Sequence, residues 1–158
     1  MTFMPQYAES FSGQYLCPPT EYAPGSRQEP TTSSATMSAV SSANVNTGTF
    51  TAPASGNVLV TASFAADIGA SSDLASFSLG THGSVTPVCD DVTFGMPAYG
   101  TLYTPQFLVT GLTPGSTYNL DLLFSSPAGV ALTLFVLGTE STTPSLAGAP
   151  VTMTVQQV

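Results

Sequence analysis

His82 stands a few residues ahead of a Cys89-Asp90-Asp91 triplet. An imidazole, a thiol and two carboxylates in one stretch are the raw materials of a metal site or of a nucleophilic centre. The spacing fits neither. His82 is the only histidine in the chain, and the acids do not follow the alternating Asp-rich series of a calcium loop. A Ser-His-Asp relay would have to be assembled around His82, and no Gly-x-Ser-x-Gly turn is present to raise a serine for it. Adjacent carboxylates such as Asp90 and Asp91 point to opposite faces of a strand, a poor pair for glycoside hydrolysis. His82 therefore reads as a surface-loop residue. No catalytic residue, metal site or cofactor is expected.

The rest of the composition points the same way. The chain has no lysine and no tryptophan, one arginine (Arg27), and a net charge of -8 over 158 residues. Enzymes bring acids, bases and cationic anchors to their substrates, and a nucleic-acid binder needs cations for phosphates. Nucleic acid is not an expected partner. Charged residues make up 6% of the chain, against about a quarter in an ordinary soluble domain, so hydroxyls, amides and glycine must cover the surface. No apolar run is long enough for a membrane helix, and no membrane partner is expected. The Met-Thr-Phe-Met-Pro-Gln start carries neither the basic nor the apolar region of a secretion signal. Cys17 and Cys89 are too few for a disulfide framework. One bridge between them would staple the N-terminal part to the core, but two free thiols are the preferred reading.

Two kinds of segment must position these residues. Residues 1–46 interleave aromatics with Pro5, Pro18, Pro19, Pro24 and Pro30, and end in a Ser/Thr/Ala stretch. Prolines at this density exclude helices and central strands. Disordered segments are poor in aromatics, so an extended docking arm followed by a flexible linker is expected here. Phe3, Tyr7, Phe11, Tyr15 and Tyr22 would be buried against a partner, and Arg27, between Glu21 and Glu29, would anchor the arm to an acidic groove.

From residue 47 onward the pattern is all-β. Val58, Val60, Ala62 and Phe64 alternate, as do Tyr118, Leu120, Leu122 and Phe124, then Val130, Leu132, Leu134 and Val136, then Val151, Met153 and Val155. Shorter runs at 47–52, 74–79, 85–88, 92–94 and 102–109 complete the set, the last interrupted by Pro105. Glycine, proline and serine clusters separate them. About eight short strands at this spacing predict an antiparallel β-sandwich over 47–158.

Two segments resemble known families. Gly48-Thr-Phe-Thr-Ala-Pro-Ala-Ser-Gly56, followed by Val58-Leu-Val60, is similar to the opening of C1q/TNF-like jelly rolls. Related openings occur in bacteriophage virion proteins such as head decoration, head fibre and minor tail proteins. Several of these place an N-terminal arm before a jelly roll and assemble as trimers. Leu112-Thr-Pro-Gly-Ser-Thr-Tyr118 resembles the tyrosine corner of fibronectin type III domains, where the tyrosine hydroxyl ties a loop to the sandwich edge. The absence of tryptophan and the length of the β region favour the jelly roll.

The first resemblance implies a non-enzymatic virion protein of a tailed phage. It would be a homotrimeric decoration protein on the capsid exterior, assembled in the host cytoplasm and docked through its arm on the major capsid protein. A minor tail or fibre protein is the alternative within the virion. A carbohydrate- or receptor-binding jelly roll is the alternative outside it, with Tyr99 and Tyr103 exposed beside Asp90 and Asp91 to stack on and hydrogen-bond a ligand.

Overall fold

The computed structural model describes residues 14–22, 30–40, 45–68, 73–96, 100–135 and 151–158. Among them the regular structure is all β and the pairing is antiparallel throughout. The strands are β1 (Thr20–Tyr22), β2 (Thr31–Thr32), β3 (Ser38–Ala39), β4 (Phe50–Thr51), β5 (Val58–Ile68), β6 (Asp73–Thr81), β7 (Val92–Met96), β8 (Thr101–Tyr103), β9 (Gln106–Val109), β10 (Thr117–Tyr118), β11 (Leu120–Ser125), β12 (Leu132–Phe135) and β13 (Val151–Gln157). They form a β-sandwich.

The larger sheet is built around β5. Its Val58–Ser63 half pairs with β13 and its Ala65–Ile68 part with β12, end to end along one side. On the other side lie β8 and β9. Beyond β13 comes β1, and beyond β12 comes β2. The smaller sheet runs β3-β11-β6-β7. The period-2 pattern explains how the two meet. Val58, Val60, Ala62 and Phe64 of β5 are fully buried, as are Leu120 and Leu122 of β11 and Leu132 and Leu134 of β12. Phe64 and Phe77 touch across the gap at 4.6 Å between ring centroids. Each such side chain contributes about 1.5–3 kcal/mol by leaving water.

The described prolines Pro18, Pro19 and Pro30 lie outside the strands, as expected, yet the segments they punctuate do not stand apart. Thr20 and Tyr22 pair with Met153 and Val151, Thr31 and Thr32 with Thr133 and Leu132, and Ser38 and Ala39 with Phe124 and Leu123. All three strands are edges, where a missing N–H costs no ladder bond. Val40 and Val45 are buried in the core. In its described residues, the expected linker thus belongs to the sandwich, and the sandwich begins well before residue 47. A second expectation also fails. Residues 85–88 are not a strand but a loop. It is held by the Val88 N–H donating to the Leu79 carbonyl at 2.8 Å and by one isolated bridge between Gly80 and Pro87. Pro87 has no N–H with which to extend a ladder.

The tyrosine corner forms as the resemblance implied. The Tyr118 hydroxyl accepts the Thr113 N–H at 3.0 Å, and this contact draws its ionisation below the usual tyrosine range. The same loop is tied to the preceding turn by Leu112 N–H to the Gly56 carbonyl. Gly56 has φ +67°, and a Cβ there would lie 2.6 Å from the Leu112 carbonyl oxygen. Glycine is the residue that meets both conditions.

Candidate functional site

The loop between β6 and β7 decides where the chemistry-bearing residues go. It leaves β6 at His82, turns back over the outer face of the smaller sheet, and returns at Val92. His82 Nδ1 lies 2.7 Å from Asp121 Oδ1, and the Gly83 N–H donates to Asp121 Oδ2 at 2.8 Å. Asp121 is 6% exposed, so this carboxylate is satisfied from both sides rather than left buried and unpaired. Asp121 alternates with Leu120 and Leu122 and so lies on the opposite face of β11, which the loop covers. The pair matches the orienting half of a serine-protease relay, but no serine hydroxyl hydrogen-bonds His82 among the described residues.

Further along, the loop closes on β6. The Ser78 hydroxyl donates to the Cys89 carbonyl at 3.1 Å, and the Cys89 thiol sits 3.6 Å from the same hydroxyl. Burial pushes the Cys89 thiol above its ordinary range, the Ser78 and Leu79 hydrogen bonds oppose this, and nearby Asp91 and Asp90 add to the rise. A thiol held neutral is a poor nucleophile and a poor soft ligand. Cys17 is also free and likewise raised by burial. Its thiol contacts the Thr47 carbonyl at 3.4 Å.

The loop then meets the edge of the larger sheet. Val88, Cys89, Asp90, Asp91 and Val92 on one side, and Gln106, Phe107, Leu108 and Thr110 on the other, enclose a cleft of about 360 Å³. That is within the range of about 300–1,000 Å³ typical of ligand clefts. Asp90 and Asp91 are both exposed at this cleft. Neither carboxylate has a hydrogen-bond or ion-pair partner among the described residues. The lining offers acceptors from the two carboxylates, a donor and acceptor from the Gln106 amide, a Thr110 hydroxyl, and an apolar floor. It carries no imidazole and no cation. Such a set suits holding a donor-rich or cationic group rather than making bonds.

The other expected site residues fall differently. Tyr103 is not an exposed platform. It is half-buried, its ring 5.0 Å from Phe94 and 6.3 Å from Phe64, because β7 and β8 meet there across the sandwich. It is absent from the lining of the Asp90–Asp91 cleft. Tyr22 packs partly buried against the core. Tyr15 is 54% exposed and bridges to Gln156. Phe3, Tyr7, Phe11, Arg27 and Tyr99 lie outside the described residues. Sequence reasoning missed Gln106, Leu108 and Thr110 as neighbours of the acid pair. The signal that could have exposed them was Pro105, which marks 106–109 as an edge strand. Among the described residues no group of three or more His, Cys, Asp or Glu side chains could hold a metal, and no helix is long and apolar enough to cross a membrane.

No family model and no curated protein matches this chain. The functional reading therefore rests on the fold and the surface.

Proposed function

We propose that this chain is a non-enzymatic structural protein of a virion, a jelly-roll decoration protein that coats the outside of a tailed-phage capsid. One observation carries the reading. Among the described residues the strands that build the two sheets fall into eight successive groups: β1 with β2, β3, β5, β6, β7, β8 with β9, β11, and β12 with β13. Their order across the larger sheet is first-eighth-third-sixth, and across the smaller sheet second-seventh-fourth-fifth. We read that interleaving as a double Greek-key jelly roll, an architecture of viral capsid and lectin domains. It supports the resemblance of the Gly48–Gly56 segment to phage virion jelly rolls. The near absence of charged side chains adds to it, since a surface of hydroxyls and amides packs into an assembly with little charge to desolvate.

On this reading the major capsid protein is the partner, a homotrimer is the coating unit, and Phe3, Tyr7 and Phe11 are docking residues. The stacking of Tyr103 inside the Phe64–Phe94 cluster weighs against a sugar-binding module, because the ring is not free to lie on a sugar. The test is removal of residues 1–13, which stops short of β1. The truncated protein should keep its β circular dichroism and, by light scattering, the full chain's number of subunits, yet fail to co-sediment with emptied capsids that the full chain coats at fixed stoichiometry. Undiminished coating would overturn the role of the N-terminal segment. A full-length chain that coats no capsid would overturn the whole reading.

A further inference from the structure

The cleft beside Asp90 and Asp91 runs along an open sheet edge. In the register of β9 against β5, Thr61 faces Gln106, Val60 faces Phe107, Leu59 faces Leu108 and Val58 faces Val109. Ala62 N–H donates to the Pro105 carbonyl at 3.1 Å, which makes that opposed pair a hydrogen-bonded one. Antiparallel ladders alternate, so Phe107 and Val109 also turn their backbone groups toward β5. The N–H and C=O groups of Gln106 and Leu108 therefore turn the other way, out of the sheet. β5 is the partner of β9, and no other strand pairs with it among the described residues. Gln106, Phe107, Leu108 and Thr110 form one wall of the cleft, and the 88–92 loop forms the other.

Among the described edge strands β9 and β7 are the longer ones, and β9 is the one whose open side lines the cleft. β1, β2, β3 and β8 have two or three residues each, and a proline stands immediately before β1, β2 and β9 alike. Short edges and prolines are standard defences against strand addition, as is an outward lysine. β9 has four residues, no proline within it, and Leu108 56% exposed. A chain without lysine cannot use the third defence.

We propose that the β9 edge is a strand-addition site for an extended segment of a partner protein, with a lysine or arginine of that segment seated against Asp90 and Asp91. Main-chain bonds to Gln106 and Leu108 would give affinity, and the acid pair on the facing wall would give specificity. The charge identifies the kind of partner. Among the described residues the two carboxylates carry no cation of their own, and a second copy of this chain has a single Lys or Arg side chain, Arg27, to offer. A different, basic polypeptide fits better. The inference does not require the partner to be a capsid protein, so it stands or falls separately from the coating experiment.

The full-length protein, labelled with ¹⁵N, would be titrated to millimolar concentration with three capped hexapeptides. The first alternates lysine with threonine and valine. The second replaces its lysines by glutamate. The third keeps the lysines but is N-methylated at alternate backbone positions. The lysine peptide should shift the amides of Gln106, Leu108 and Thr110 and of residues 88–92. The glutamate peptide should bind about tenfold more weakly or worse, since like charges would face each other. The N-methylated peptide should lose binding because it cannot complete the ladder. In the double variant Asp90→Asn, Asp91→Asn the lysine and glutamate peptides should become equivalent. Leu108→Pro removes an outward N–H while sparing the ladder to β5, and should abolish binding. The N-methylated peptide makes the same test without altering the protein. No shift at β9, equal affinity for lysine and glutamate peptides, or undiminished binding of the N-methylated peptide would overturn the proposal. So would shifts at β9 that appear on concentrating the protein alone, which would mark a second copy as the occupant.

Discussion

The two sheets of this sandwich treat their outer faces in opposite ways. In the larger sheet, β5 and β13 alternate buried and half-exposed residues, and Thr61, Ser63, Thr152, Thr154 and Gln156 show partly to solvent. In the smaller sheet, β11 is buried on both faces from Leu120 to Ser125, and β6 from Ala75 to Gly80. The difference is made by residues 82–91, which lie over β6 and β11 as a lid. Gly80 shows how closely: a Cβ there would sit 2.6 Å from the Ser84 carbonyl oxygen and 3.0 Å from Leu123. Beneath this lid the polar groups are matched in pairs, Ser76 with Thr93 at 2.8 Å, Ser78 with the Cys89 carbonyl, and Asp121 with His82 and Gly83. The lesson is that one loop does two jobs. It closes one face of the sandwich, and by doing so it delivers Asp90 and Asp91 to the edge of the other sheet.

The sharpest way to break this contrast is to shorten the same kind of side chain change on each face. Leu123 is fully buried on the lidded face, so Leu123→Ala should cost about 2–5 kcal/mol, the range for emptying a core position. Thr154→Ala on the open face should stay within about 0.5 kcal/mol. Urea unfolding followed by circular dichroism measures both. Equal, small effects would mean that the lid does not seal the face.

A smaller effect is expected at the start of the lid. Asp121→Asn keeps the shape but loses the charge and one acceptor oxygen, and whichever way the amide lies its NH2 replaces an oxygen that faces His82 or the Gly83 N–H. Leaving a buried group without its partner costs about 1–3 kcal/mol. Amide hydrogen exchange should show residues 82–91 opening more readily while β5 and β13 keep their protection. If exchange rises equally in both sheets, the lid is not an independent unit of stability.

The smallest effect is a pH dependence. Burial holds the Cys89 thiol neutral, with its ionisation above the ordinary value of 9.0. The folded state therefore favours the protonated form. That contribution is complete below the unfolded value and is lost as pH rises through the folded one. The urea midpoint of the native chain should fall as pH climbs above about 9, and Cys89→Ser should flatten part of that fall. An identical alkaline slope in the two proteins would show that the thiol does not titrate with folding.

Much of this was legible in the residue order. The alternation Val58-Val60-Ala62-Phe64 predicts a strand with one buried face because side chains in a strand point to alternate sides, and all four are buried. The Leu112–Tyr118 segment predicts its own corner because the tyrosine and its loop partner are neighbours in sequence. The same alternation puts Asp121 and Leu123 on the other face of β11 and does not reveal that this face is buried too. It misjudged the 85–88 run, where apolar residues at strand spacing belong to a lid.

The sequence by itself determined the all-β class, most strand positions and which face of each strand turns to the core. These follow from local period, from turn residues and from the φ limits of glycine and proline. Only the tertiary structure decided which strands are neighbours. It alone placed Thr20–Tyr22, Thr31–Thr32 and Ser38–Ala39 along the sheet edges, folded the 82–91 lid over β6 and β11, put Tyr103 among phenylalanines, and brought Asp90 and Asp91 opposite Gln106 and Leu108. Such pairings join residues far apart in the chain. Their free energy comes from packing and hydrogen bonds that exist once the sheets have met, so no local pattern encodes them.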